Sequence, residues 1–149
     1  RLREELPEED YTVEIGKARI AREGTDLSII TFGAQTLNAL DAAEKLAAED
    51  GLNIEVIDLR SLAPLDKDAI LATVKKTNRA LILHEASLTG GIGGEISAII
   101  AEEAFEWLDA PIIRIASIDT PVPFAPQMED YFLPSLEEIT DACRKLARY

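Results

Sequence analysis

The feature that most limits how this chain folds is an alternation of two kinds of segment. Four short runs are rich in β-branched residues: Asp26–Phe32 (DLSIITF), Asn53–Leu59 (NIEVIDL), Arg79–Glu85 (RALILHE) and Ile112–Ser117 (IIRIAS). Between and after them lie longer stretches with helical spacing. Strands of about 5–7 residues alternating with helices indicate βαβ units, and so a mostly parallel sheet with helices on both faces. A run such as DLSIITF carries its apolar residues without strict alternation, as a strand buried on both faces does. Ala18–Arg22 reads as a further short strand ahead of the series.

Residues Thr36–Asp50 space Leu37, Leu40, Ala43 and Ala47 as a helix, with Gly51 as its stop. Asp66 is the expected N-cap of a helix to about Thr77, with Ile70, Leu71 and Val74 on one face. Residues 92–108 read as one long amphipathic helix. Ile92, Ile96, Ile99, Ile100, Ala104 and Trp107 share a face, and Glu102, Glu103 and Glu106 share the other. Thr120–Pro134 contains four prolines and is expected to be a rigid irregular loop. Ser135 with Glu138 three positions on forms a capping-box pattern that opens a last helix running to the C-terminus.

A length of 149 residues suits one domain, and no apolar run approaches the ~18–20 residues of a membrane-spanning helix. Asp and Glu number 28 against 15 Lys and Arg, a formal charge of −13. That excess argues against nucleic acid, whose phosphates need clustered cations, and favours basic protein partners. Cys143 stands alone, so an internal disulfide is excluded. The chain opens on Arg1 and its only methionine is Met128. Residues 1–11, charged and interrupted by Pro7, read as a linker from an upstream domain, and residues 12–149 as the domain itself. No charged-then-apolar leader is visible at the start. The expected location is cytoplasmic, or the mitochondrial matrix in a eukaryote.

Residues able to carry chemistry are few. Gly90-Gly91-Ile92-Gly93-Gly94 lies between a strand end and a helix start, where backbone N–H groups can bind an anion. It is neither a Walker A loop nor a dinucleotide fingerprint. The plainer reading is that its glycines let the helix start pack closely against a neighbour. His84 and Glu85 sit at the carboxyl end of a core strand, where open α/β sheets place sites. They are candidates for a proton carrier, or for a hydrogen-bonded histidine at an interface. No serine, cysteine or second histidine stands ready to complete a nucleophilic or metal site. Asp58 with Arg60 suggests a local ion pair or a loop-ordering contact, and Cys143 beside Arg144 a half-buried thiol. Metal-ligand spacing is absent. The acidic face continues from Glu102, Glu103 and Glu106 to Asp109, a surface able to dock a basic partner.

Taken in order, several segments resemble one family. They are Ile15-Gly16-Lys17-Ala18, Arg22-Glu23-Gly24, Val56-Ile57-Asp58-Leu59-Arg60 with Pro64-Leu65-Asp66, and His84-Glu85-Ala86 with Gly90-Gly91. Glu95-Ile96, Leu108-Asp109-Ala110-Pro111 and Asp119-Thr120-Pro121 with Pro123 complete the set. The chain is similar to the C-terminal, transketolase-C-like domain of the β chain of thiamine diphosphate-dependent 2-oxoacid dehydrogenases, over about Leu6–Tyr149. The resemblance implies a three-layer α/β/α fold on a five-stranded, mostly parallel sheet with one antiparallel strand. It implies a parent enzyme that decarboxylates a 2-oxo acid and reductively acylates a lipoyl group. In such an enzyme the upstream domain supplies the glutamate that activates thiamine diphosphate, and an α chain holds the diphosphate and Mg²⁺. No catalytic, cofactor-binding or metal-binding residue is expected in this part of the chain, and by itself it is expected to be inactive.

The implied partners are a second β chain, the α chain of the heterotetramer, and the small basic subunit-binding domain of the dihydrolipoyl acyltransferase. For that last contact the resemblance points to Asp109 and to Tyr149 with its carboxylate, and proximity adds Glu106. His84-Glu85-Ala86 with Leu88-Thr89-Gly90-Gly91, and the ending Arg144-Lys145-Leu146 to Arg148-Tyr149, look closer to branched-chain than to pyruvate members. The alternatives are a stand-alone anion- or small-molecule-binding module using Gly90–Gly94, and an independent enzyme using His84 and Glu85.

Overall fold

In a computed structural model, residues 9–149 are described. Five strands form one sheet: β1 (Arg19–Arg22), β2 (Leu27–Thr31), β3 (Ile54–Asp58), β4 (Ala80–Ser87) and β5 (Ile113–Ser117). Their spatial order is β1-β3-β2-β4-β5, with β3, β2, β4 and β5 parallel and β1 antiparallel on the β3 edge. Strand boundaries fall within about two residues of the sequence expectation. Every residue of the central strand β2 is buried.

The helices are α1 (Gln35–Asp50), α2 (Lys67–Thr77), α3 (Ile92–Glu103), α4 (Pro126–Phe132) and α5 (Leu136–Leu146). On one face of the sheet, Ala39, Ala42 and Leu46 of α1 and Ile139, Cys143 and Leu146 of α5 pack on Leu27, Ile29, Val56 and Leu81. On the other, Ile70 and Val74 of α2 and Ile96 and Ile100 of α3 pack on Ile30, Ile57 and Ile82. These are the three layers that strand-helix alternation demands. Each large aliphatic side chain so buried stabilises the fold by roughly 1.5–3 kcal/mol.

Local signals set the helix ends. Gly51 ends α1 in the left-handed conformation and its N–H donates to Leu46 O. Asp66 caps α2 as expected. Its Oδ1 accepts the Ala69 N–H (3.3 Å) and its Oδ2 the Ala18 N–H (3.0 Å), so one carboxylate joins the start of α2 to the entry of β1. Ser135 and Glu138 form the reciprocal capping box of α5.

Two expectations need correction. Residues 92–108 are not one helix: α3 stops at Glu103, Ala104 adopts φ −138°, ψ 15°, and Phe105–Trp107 form a separate 3-10 turn. Trp107 therefore leaves the apolar face assigned to it and is 42% exposed. The proline-rich segment is not wholly irregular, because Pro126 opens the short helix α4 from its first position, where a missing N–H costs nothing. The linker reading of residues 1–11 rests on a segment of which 1–8 lie outside the described residues.

Asp66→Ala removes the α2 cap and leaves the Ala18 N–H without an acceptor. A loss of about 2–4 kcal/mol is expected from chemical denaturation. Asp66→Asn, which keeps a cap acceptor, is expected to lose less.

Candidate functional site

The two ends of the sheet differ in kind. At the carboxyl end, β4 breaks register with β5 between Leu83 and Ser87. Within this irregularity His84 turns inward and is fully buried. Its ring stacks on Phe32 at the end of β2, with centroids 6.2 Å apart and planes 14° from parallel. The glycine-rich start of α3 lies directly against it. A Cβ on Gly91 would stand 2.8 Å from His84 Cε1, and one on Gly93 2.5 Å from Nε2. The imidazole thus occupies the side-chain space of Gly93, and at Gly91 it shares that space with the Ser87 carbonyl oxygen, 2.3 Å from the same Cβ position.

Neither ring nitrogen of His84 has a hydrogen-bond partner among the described residues. Burial pushes its pKa below the ordinary 6.5, and Arg114 lowers it further. The Ala86 backbone offsets part of that shift without reaching hydrogen-bond geometry. Among the described residues His84 packs against Phe32, Gly91 and Gly93. Glu85, by contrast, is exposed.

Gly90 turns with φ +73°. Beside it Thr89 donates from its hydroxyl (2.6 Å) and its amide (3.0 Å) to Asp119, holding that carboxyl below the usual carboxylate range. The loops after β4 and β5 are joined there.

His84 occupies the space into which side chains at Gly91 and Gly93 would project, whereas a Cβ on Gly90 would meet nothing within 4 Å and one on Gly94 only Arg114 Nη1 at 3.6 Å. Among the described residues no group of three or more His, Cys, Asp or Glu is placed to hold a metal ion. We therefore derive no chemical step through thiamine diphosphate or Mg²⁺ from these residues.

At the amino end the surface is open. The 3-10 turn and the Leu108–Ile112 connection form a groove of about 430 Å³. Asp109 and Tyr149, 40 positions apart in the chain, both line it, together with Phe105, Leu108 and Pro111. The structure thus brings together two of the three residues singled out for partner binding. Glu106 is exposed on the adjacent turn but does not line the groove.

Asn78, which ends α2 with φ +60°, fixes this segment. Its side chain donates to Trp107 O (2.7 Å), and its carbonyl accepts the Asp109 N–H (2.8 Å). Lys75 Nζ lies 5.8 Å from the centre of the Trp107 ring. Sequence reasoning missed Phe105, Asn78 and Lys75, because it extended α3 through Leu108 and turned Phe105 onto an ordinary helix surface.

The other candidates are structural. Asp58 pairs with Arg19 (3.2 Å) and accepts the backbone N–H of Arg60, rather than bridging to the Arg60 guanidinium. Cys143 is fully buried, not half-buried, and burial pushes its thiol up to about 12, far from reactivity. A larger groove of about 510 Å³ lies between β5 and α5. Its rim mixes Arg114 and Lys145 with Glu138 and Asp141, so it favours neither sign of charge.

Comparison with known proteins places this geometry. The family model for the transketolase C-terminal domain matches residues 16–139. The chain is 46% identical over 148 residues to the pyruvate dehydrogenase E1 component subunit beta of Bacillus subtilis, covering 99% of this chain and 45% of that protein. Identity is 44% over 148 residues to the same subunit of Staphylococcus aureus, again 99% of this chain and 45% of that one. It is 45% over 145 residues to the acetoin:2,6-dichlorophenolindophenol oxidoreductase subunit beta of Bacillus subtilis, 97% and 42% of the two chains. The chain spans less than half the length of these relatives. Among solved structures, a split-gene transketolase in an inactive β4 tetramer superposes with a TM-score of 0.79 at 26% identity, over 93% of this chain and 44% of that one.

Two substitutions separate packing from helix propensity at the start of α3. Gly93→Ala drives a methyl group into His84 and is expected to destabilise by about 1–3 kcal/mol. Gly94→Ala meets only Arg114 Nη1, at an ordinary 3.6 Å, and is expected to stabilise by about 0.5–1 kcal/mol. Thermal or urea denaturation reads both.

His84 adds a pH signature. Its folded pKa is depressed, so the unfolded chain takes up the proton first as pH falls. The stability His84 contributes is present above about pH 6.5 and is lost as pH drops through 6.5 toward the lowered folded value. His84→Gln is expected to flatten the decline in stability between about pH 7 and about pH 5, measured as denaturation midpoints against pH.

Proposed function

Because this chain belongs to the family of transketolase C-terminal domains, we propose that it serves as the assembly and docking part of a 2-oxoacid dehydrogenase β subunit. Three relatives at 44–46% identity across nearly the whole chain support this reading, each a β subunit of a 2-oxoacid or acetoin enzyme by name. In that reading the parent enzyme, with thiamine diphosphate and Mg²⁺ held by the upstream domain and an α chain, decarboxylates a 2-oxo acid or, for an acetoin-type parent, cleaves the bond between acetoin's carbonyl and carbinol carbons, and passes the acyl group to a lipoyl arm in the 2-oxo acid case. The residues in hand contribute association, and without the rest of the enzyme they turn nothing over.

The substrate reading shifts from branched-chain toward pyruvate or acetoin. The curated relatives named above carry those two names, and the branched-chain reading finds no support among them. A physical reason accompanies the shift. The residues that suggested branched-chain members do packing work here: His84 fills the space beside Gly91 and Gly93, and Arg144 pairs with Glu49 and Asp50 across α1 and α5. Their identities report on core and helix contacts rather than on substrate.

Two surfaces serve association. Beyond β5, at the carboxyl end, Ile118, Val122, Phe124, Met128 and Tyr131 are all exposed apolar side chains. So many exposed apolar side chains in one segment suit a protein contact, and we assign the segment to the second β chain. The groove at the amino end takes the basic subunit-binding domain of the acyltransferase. The observation that carries this docking role is the convergence of Asp109 and Tyr149 on one groove.

Calorimetric titration of the assembled enzyme with that basic domain tests the docking role. Binding is expected at low salt and is expected to weaken about tenfold between about 0.05 and about 0.5 M salt, as screening shortens the reach of the carboxylates. Asp109→Asn is expected to weaken binding mainly at low salt. No binding at low salt by folded enzyme would reject the docking role.

A further inference from the structure

We propose that the cleft between β1 and the start of α1 binds a small organic carboxylate, its anionic head held by Thr36 and Arg19 and its apolar body by Ile20, Leu37 and Leu40. The cleft stands at the carboxyl end of β3, apart from the groove of Asp109, and does not depend on the docking reading.

Space comes first. The cleft measures about 370 Å³, within the size range of small-molecule sites. Residues of β1 and of the first two turns of α1 line it, joined by Asp58 from the end of β3. Ile20 and Leu37 are both exposed there and present apolar surface to an incoming ligand. Gly33, at the entry to α1, leaves open space where a side chain would stand.

Polar groups without partners converge on it. Thr36 lines the cleft and is only 5% exposed, yet its Oγ1 has no hydrogen-bond partner among the described residues. Thr31, the last residue of β2, is fully buried and equally unpartnered. Strand alternation sets Thr31 on the α1 face with Leu27 and Ile29, in register with Asp58 of the cleft. A buried hydroxyl without a partner carries a desolvation cost that a ligand's oxygen relieves. The start of α1 is open as well. It has no side-chain cap and no acidic residue in its first turn. The Thr36 and Leu37 amides turn back to Gly33 O and Ala34 O, while the Gln35 amide has no acceptor among the described residues.

Charge selects the head group. Arg19 holds Asp58 through Nη2 at 3.2 Å, and Asp58 also accepts the Arg60 N–H, so the carboxylate in the cleft is already answered. Arg19 is half exposed and makes no other hydrogen bond among the described residues, which leaves further N–H groups of its fork for a ligand. The guanidinium, the Thr36 hydroxyl and the positive end of α1 together favour an anion. A monocarboxylate with an apolar tail satisfies the donors and covers Ile20, Leu37 and Leu40. A bare phosphate leaves that apolar wall uncovered.

The test uses the assembled holoenzyme and 4-bromobenzoate, an unreactive carboxylate whose bromine scatters anomalously. A crystal soak is expected to place the bromine in the cleft with the carboxylate toward Thr36 and Arg19, and calorimetry is expected to show saturable binding in solution. Thr36→Val removes the hydroxyl and keeps its shape. It is expected to weaken binding about five- to tenfold, while the free protein melts no lower, since that hydroxyl has no partner to lose. Arg19→Gln is expected to weaken binding by about tenfold or more. No bromine density in the cleft, binding at crystal concentration only, or unaltered affinity in both variants would each overturn the site. Inorganic phosphate displacing the probe at equal concentration would overturn its assignment to carboxylates.

Discussion

The central strand β2 governs the structure. It is parallel to both of its neighbours and buried along its whole length. A parallel strand in that position exposes apolar side chains to both faces, so helices have to cover both. Right-handed crossovers place α1 on one side and α2 and α3 on the other, and α5, which follows the last strand, packs beside α1. Everything functional is then confined to the sheet's two ends and to the outer helix surfaces.

One polar chain runs through the α2 side of this core. Ser28, in the middle of β2, meets Thr73 and Thr77 of α2, each at 2.7 Å. Thr73 also donates to Glu55, which is almost fully buried on β3 and is paired with Lys76. Lys76 reaches on to Glu23 at the surface, so a buried carboxylate is led out to solvent through a single ammonium. Glu23 holds the Lys76 pKa above its ordinary value, with Glu55 adding to the effect. Losing one partner of such a chain costs more than the chain contributes net, since a buried carboxylate left alone keeps its full desolvation penalty. The chain also fixes how α2 slides along the sheet, and so where Asn78 at its end stands.

How much of this was readable from sequence depends on the range of the cause. Helix caps are local: Asp66, Gly51 and the Ser135–Glu138 pair carry their signal within four residues, and each occupies its expected place. The four core strands were legible because continuous β-branched runs have few other stable fates. The end of α3 was not. Nothing in residues 101–108 breaks helical periodicity, since Phe, Glu and Trp all tolerate a helix. The break coincides with contacts to Asn78, 29 positions earlier than Trp107. His84 shows the same limit: its position at a strand end was visible, but its lack of polar partners follows from Phe32 and two glycines that only the fold brings to it. Asp109 and Tyr149 came from a family likeness, and spacing alone gave no reason to join them.

The two ends of the sheet consequently have opposite characters. In open α/β sheets the carboxyl end is the usual place for a ligand, where loops diverge from a switch point. Here that crevice lies between β2 and β4, and the Phe32–His84 stack fills it while Gly91 and Gly93 close over the ring. This packed switch point has protein side chains where such a crevice is often open. It also turns the carboxyl end into a firm base for the exposed apolar side chains that follow β5. The amino end, which such sheets usually leave without a role, keeps an open groove because the chain leaves α3 early and Asn78 holds it away from the core. The two ends of one sheet thus differ because a buried ring packs one of them and a helix that stops early opens the other.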